Sequence, residues 1–252
     1  MFKTRIITAA VLILSIAGRI NGQESFMGEN GYVHGEKFLY VIFYGPITGG
    51  QALVTLEKED LDGKEVYHAK AFAKTTGVAD ALYKVRDIYE SFFDISSGLP
   101  YKSVRNIKEG DYKKYEEHIF NRSNNTVVNN KNEVHEVPVG ILDMVTALYK
   151  VRRIDRSKIK VGDVVKIVTF FDNEIFPFDI TFKGRETITT RMGTYKCLKF
   201  VPKVGTGRIF ENEDDMTIWV SDDPNLLPVR VKFDLKVGSI KCDVIEYQGL
   251  KY

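Results

Sequence analysis

Alternation of apolar and polar residues dominates this chain and marks a long series of strands. The first set is FLYVIFY (38–44), ALVTLEKE (52–59), EVYHAKAFAK (65–74), IYESFFD (88–94), SVRNIKE (103–109) and DYKKYEEHIF (111–120). The glycine-rich GPITGG (45–50) joins the first two as a hairpin. After Gly162 the pattern resumes with VVKIVTFF (164–171), FPFDITFKG (176–184), ETITTRM (186–192), TYKCLKFVP (194–202), MTIWVS (216–221), VRVKFDLKVG (229–238) and IKCDVIEYQGL (240–250). The cleanest strand is 229–236. Val229, Val231, Phe233 and Leu235 share one face, and Arg230, Lys232, Asp234 and Lys236 share the other, as in a sheet with one solvated side.

Helical spacing occurs twice. Val78, Ala81, Leu82 and Val85 predict a short helix within 75–87. Ile141, Val145, Leu148 and Val151 or Arg152 predict a better one over 138–153, with Asp143 near its start. Between strands and helix, NRSNNTVVNNKNE (121–133) reads as a polar loop between short edge strands.

The chain also repeats itself. DIYESFFDISSGLPYKSVRNIKEG (87–110) aligns without a gap on DMTIWVSDDPNLLPVRVKFDLKVG (215–238), so that Asp87 meets Asp215, Asp94 meets Asp222, and Leu99-Pro100 meet Leu227-Pro228. Gly35-Glu36 correspond in the same way to Gly162-Asp163. The expected architecture is mainly β: a single domain over 35–252, built from two similar antiparallel meanders (35–130 and 162–252) joined by the helix near 138–153. Such meanders form a strongly curved sheet, a half-barrel or a sandwich, whose edges must be covered. The two short helices are the expected covers, and the concave space beneath them is the expected pocket.

The N-terminus changes the picture of where this domain works. Lys3 and Arg5 precede an apolar run, Ile6 to Ala17, followed by small and polar residues to Gly22. These are the parts of a secretory signal peptide over 1–22. The run stops well short of the roughly 20 apolar residues that span a bilayer. Residues 23–34 read as a flexible leader. The expected location is therefore the periplasm or the extracellular space, as a soluble chain with no transmembrane span. Loss of Lys3, Arg5 and Arg19 with no acid moves the net charge from +2 to −1. Mixed charges near neutrality leave no footprint for nucleic acid. Composition is ordinary for a globular chain, at 44% hydrophobic and 28% charged.

Candidate chemistry is sparse. His34, His68, His118 and His135 lie at no metal-ligand spacing, and the nucleophile and phosphate-loop motifs are missing. Asp94, Asp222 and Asp223 read as turn caps rather than paired catalytic acids. Neither an enzyme nor a cofactor is expected. Cys197 and Cys242 sit in strands, and either pair as a disulfide in an oxidising compartment or remain separate buried thiols. Alternation places Phe176, Phe178, Ile180 and Phe182 on one face. With Trp219, the three phenylalanines are the candidate ligand-binding residues, either filling the core or lining a greasy cavity.

GEKFLYVIFYGPITGGQALV (35–54), the D-x-x-S-G-L-P turn, DMVTALYKVR (143–152) and W-V-S-D-D-x-x-x-L-P-V (219–229) resemble an uncharacterised family of exported bacterial proteins, domain-of-unknown-function family 3108. The resemblance covers most of 35–250 and implies an envelope location and a β-rich fold, with no activity. At the level of fold the repeated D…LP unit is also similar to periplasmic lipoprotein carriers, whose curved half-barrel holds acyl chains under helices. The functional expectation is an exported, non-enzymatic envelope protein that binds or carries an apolar or amphipathic ligand, a lipid or lipid-linked glycan, in its concave side. The alternative is a structural or interaction module with an envelope protein partner.

Overall fold

A computed structural model describes residues 26–177, 179–203, 212 and 214–252. The signal-peptide reading of 1–22 and the ligand reading of Phe178 lie outside them. Eight strands form the first half: β1 (Glu36–Tyr44), β2 (Ile47–Leu61), β3 (Lys64–Thr75), β4 (Arg86–Phe93), β5 (Pro100–Glu109), β6 (Tyr112–Asn121), β7 (Thr126–Asn129) and β8 (Val134–Glu136). Helix α1 (Gly77–Leu82) links β3 to β4, and α2 (Met144–Val151) follows β8. The second half holds β9 (Val164–Val165), β10 (Val168–Phe171), β11 (Glu174–Pro177), β12 (Ile180–Thr190), β13 (Gly193–Pro202), β14 (Met216–Ser221), β15 (Pro228–Asp234) and β16 (Ser239–Gln248).

Fourteen strands make one antiparallel sheet in the order β8-β7-β6-β5-β4-β3-β2-β1-β16-β15-β14-β13-β12-β9. Each half is a meander, and the halves meet where the first strand pairs with the last, from Lys37 opposite Gln248 to Tyr44 opposite Ile240. Both copies of the repeated segment are strand–turn–strand units. In both, a strand turns through an Asp-containing loop and Leu-Pro opens the next strand. The turns close with Asp94 N–H donating to Leu99 C=O (2.9 Å) and Ser221 N–H donating to Leu227 C=O (2.8 Å).

The sheet is strongly curved. Ala71 of β3 and Ile218 of β14 line one cavity, although they sit five strand spacings apart in the order. A flat sheet would hold them roughly 24 Å from each other. The curl is not completed by hydrogen bonding between the edges β8 and β9. The β10–β11 hairpin forms a separate two-stranded sheet, turning through Asp172 and Asn173, both at positive φ as a tight two-residue hairpin requires. Asp172 accepts from Arg105 (2.7 Å) and Lys114 (2.5 Å), Asn173 meets His118 (3.2 Å) and Asn129 (3.1 Å), and Phe170 packs on the rings of His118 and His135. Side chains of β5 to β8 thus latch this hairpin onto the first half of the sheet.

Three expectations change at this level. Residues 26–34 do not hang free: Phe26 and Tyr32 are buried, and Tyr32 packs edge-on against Tyr149, Tyr67 and Phe93. Helix α1 covers nothing, since it buries no residue, and only α2 packs under the sheet. The predicted face of Phe176 to Phe182 is broken at Pro177, where β11 ends. Phe176 stays with the outlying hairpin, half-exposed, while Ile180 and Phe182 enter the central core beside Leu198, Phe200 and Ile218.

Candidate functional site: an apolar cavity beneath helix α2

Helix α2 is fixed from its first residue. Asp143 accepts from the N–H groups of Val145 (2.7 Å) and Thr146 (2.8 Å), and the Thr146 hydroxyl accepts from Asp143 N–H (3.0 Å). This capping box satisfies donors that a helix end leaves open. The other oxygen of Asp143 accepts from Ser91 on β4 at 2.5 Å, tying the helix to the sheet. Burial of the carboxyl raises its pKa from 3.8 to about 6 against the pull of these hydrogen bonds.

That shift has a sign. The folded protein holds the Asp143 proton more tightly than the unfolded chain, so the stabilisation it brings is complete below about pH 4 and is lost as the pH rises through about 6. Its size is on the order of 3 kcal/mol. Asp143→Asn keeps an acceptor suited to the cap and removes the proton. Urea unfolding at about pH 4 and pH 7 should show a shallower decline in this variant than in the unaltered protein.

At the other end of α2, Arg152 is the largest fully buried side chain. Its guanidinium grips Glu36 of β1 in a two-point pair (2.6 and 2.8 Å) and donates to the carbonyls of Gly31 (2.7 Å) and Asn225 (3.0 and 3.1 Å). Leader, first strand, helix and the β14–β15 turn therefore converge on one cation. Its charge is neutralised within the protein.

Between these anchors α2 stands off the sheet and encloses a cavity of about 210 Å³. Val145, Leu148 and Tyr149 form its roof, and Phe38, Tyr40, Ala52, Val54, Ala71, Ile218, Val220, Val231 and Cys242 its floor and sides. Tyr40 is satisfied by donating to Pro228 C=O (2.9 Å), whereas the Tyr149 hydroxyl, also buried, finds no protein partner. The cavity is thus apolar, with a neutralised ion pair at one end and one unmatched hydroxyl in its roof.

The three candidate ligand residues among the described ones do not line it. Phe182 is core, Phe176 is on the β10–β11 hairpin, and Trp219 faces the other side of β14, where its indole N–H donates to Glu186. Both cysteines are free thiols. They lie on strands three spacings apart, roughly 14 Å, beyond the reach of a disulfide. Burial pushes both thiols up to about 12, and Cys242 borders the cavity. The cavity residues that sequence reading missed belong to six different strands, so no local run announces them. Arg152 did carry a signal, since it falls on the predicted helical stripe.

A second cluster lies across the same face. Ser91, Ser103, His118 and Asn129 are register neighbours on β4 to β7. The Ser91 hydroxyl goes to Asp143 and His118 Nε2 to Asn173, so these side chains serve the helix cap and the hairpin latch. Burial lowers the His118 pKa. Asp94 is a turn cap for Ser96 and Ser97, and Asp223 for Asn225 N–H. Among the described residues no three His, Cys, Asp or Glu side chains are grouped to hold a metal, and no helix is long and apolar enough to cross a membrane.

A family described as Protein of unknown function (DUF3108) matches residues 39–245. No curated protein matches the sequence. Among solved structures, a β-barrel-like protein of domain of unknown function DUF1849 from Brucella abortus superposes with a TM-score of 0.57 at 8% identity, over 86% of this chain and 98% of that one. A DUF1089 family protein from Pseudomonas aeruginosa gives a TM-score of 0.40 at 12% identity, over 79% and 90%. At such identity the first likeness speaks for a shared barrel-like fold alone.

Proposed function

We propose that this chain, which belongs to the DUF3108 family, is a non-enzymatic carrier or receptor for an apolar chain, acting outside the cytoplasm. The observation that carries the reading is the cavity between α2 and the central strands. At about 210 Å³ it exceeds the ~150 Å³ void that takes up a benzene ring, so a segment of an acyl or prenyl chain fits. Ligand chemistry follows from the walls. Arg152 is committed to Glu36, so an ionised head group placed inside would meet no available countercharge. The buried part of the ligand is therefore uncharged, with at most one acceptor for the Tyr149 hydroxyl. Charged or sugar head groups stay outside.

Native mass spectrometry with organic extraction, on protein purified from its own host's envelope, tests this. A lipid or glycolipid at stoichiometric occupancy is expected, and Ala71→Trp, which puts an indole into the cavity, should lose it. A clean unliganded mass accompanied by a discrete second protein would overturn the reading in favour of an interaction module.

A further inference from the structure

The two ends of the sheet have opposite chemistry. At the end where β1 begins, the turns are polar: Asp62-Gly63, Asp94 to Gly98, and Arg122 to Asn125. Turns normally carry such residues. At the other end several of the described connections expose apolar side chains. Ile47, Val78, Leu82 and Val237 are 62%, 75%, 81% and 75% exposed, with Tyr83 and Tyr112 beside them.

These tips form one continuous rim. Tyr44 on the β1–β2 turn donates to Val237 C=O (2.8 Å) on the β15–β16 turn. Thr76 N–H donates to Gly49 C=O (3.0 Å), joining the α1 link to the β1–β2 turn. Gly110 N–H donates to Lys84 C=O (2.8 Å), and Tyr83 OH to Glu109 C=O (3.1 Å), joining that link to the β5–β6 turn. Four tips at one end of the sheet therefore expose apolar side chains on a braced backbone. Exposed Lys74, Lys84 and Lys113 stand among them; among the described residues the acids of this end are Glu109, Asp111, Asp214 and Asp215, an Asp80 paired with Arg86 (2.6 Å) and an Asp234 paired with Lys232 (2.7 Å).

The rim is also where the cavity leads. Beyond Ala71, Cys242, Val231 and Ile218 the next same-face residues toward the rim are Ala73, Ile240, Phe233 and Met216, all half-buried. An apolar track thus runs from the cavity to the exposed tips.

We propose that this rim docks on the surface of an anionic lipid bilayer. The apolar tips enter the head-group boundary while the lysines meet lipid phosphates, the combination that holds interfacial segments to membranes. Scattered exposed apolar residues need no explanation, but a contiguous set of them does. A chain leaving the bilayer through the rim would reach the cavity without crossing water, so the docking rests on the carrier reading for its purpose but not for its existence.

Flotation of the processed chain with vesicles tests the docking. Binding to phosphatidylcholine–phosphatidylglycerol vesicles should exceed binding to phosphatidylcholine alone and weaken with salt. Leu82→Asp combined with Val237→Asp should reduce it about tenfold. Both side chains are solvent-exposed, so the thermal midpoint should not move. Equal binding by the double variant would overturn the proposal, as would an unaltered protein that floats with neither vesicle, the behaviour of a protein-docking rim. Ala71→Trp separates the two ideas. It should empty the cavity of ligand and leave vesicle binding intact, so either reading can fail alone.

Discussion

Arg152→Met is expected to cost the fold about 3–5 kcal/mol, measured by urea unfolding at neutral pH. The substitution leaves the Glu36 carboxylate, wholly buried, without a counterion, and strips donors from the carbonyls of Gly31 and Asn225. Most of the loss comes from the orphaned charge rather than from the removed attraction. Two further results follow. Adding Glu36→Leu should recover much of the loss, because a buried apolar pair tolerates the site better than one stranded ion. Arg152→Met alone should also regain stability as the pH falls, since protonating Glu36 relieves the burden. A loss under about 1 kcal/mol would mean that the four segments do not depend on this cation.

Phe182→Ala is expected to cost a comparable 3–5 kcal/mol, the usual range for removing a core aromatic ring. Phe182 is fully buried against Phe200, with ring centroids 5.2 Å apart, in the cluster that includes Ile180, Leu198 and Ile218. Phe176→Ala, six residues earlier in the same apparent pattern, should cost less than about 1 kcal/mol because its ring is already half in solvent. Thermal or urea unfolding of the two variants side by side tests whether the strand breaks at Pro177. Equal losses would restore a continuous face and contradict the break.

That contrast shows what alternation can and cannot reveal. It located the β15–β16 hairpin with its turn at Gly238, because one face carries polar residues, Arg230 and Asp243 paired at 2.5 Å among them, and the two-residue period survives. The D…LP repeat likewise marked two strand–turn–strand units. Alternation failed at 176–182, where the period is intact but the chain changes sheets at a proline. It also missed the role of 26–34, since Phe26 and Tyr32 follow no period and find their partners on distant strands and on α2.

Identical words can have different meanings here. ALYKVR occurs twice: at 147–152 it is helical down to the Arg152 cap, and at 81–86 the helix stops at Leu82 and Arg86 opens a strand. The apolar stripe of α1 is correctly spaced yet has nothing to pack against. Periodicity reports that a face exists, and only the surroundings decide whether it is buried. The same limit hid the cavity, whose walls are assembled from six strands and one helix.

The pairing of β1 with β16 sets a schedule for the chain. The middle of the sheet is built from residues about two hundred positions apart, as Lys37 lies opposite Gln248 and Tyr44 opposite Ile240. A ribosome delivers the first of these strands long before the last. Either meander can begin to form from local hairpins, but the seam must wait until synthesis is complete. Long-range pairing of this kind slows folding, because the loop must close before the contact rewards it. Until then β1 has an unoccupied edge, and the two meanders remain separate sheets.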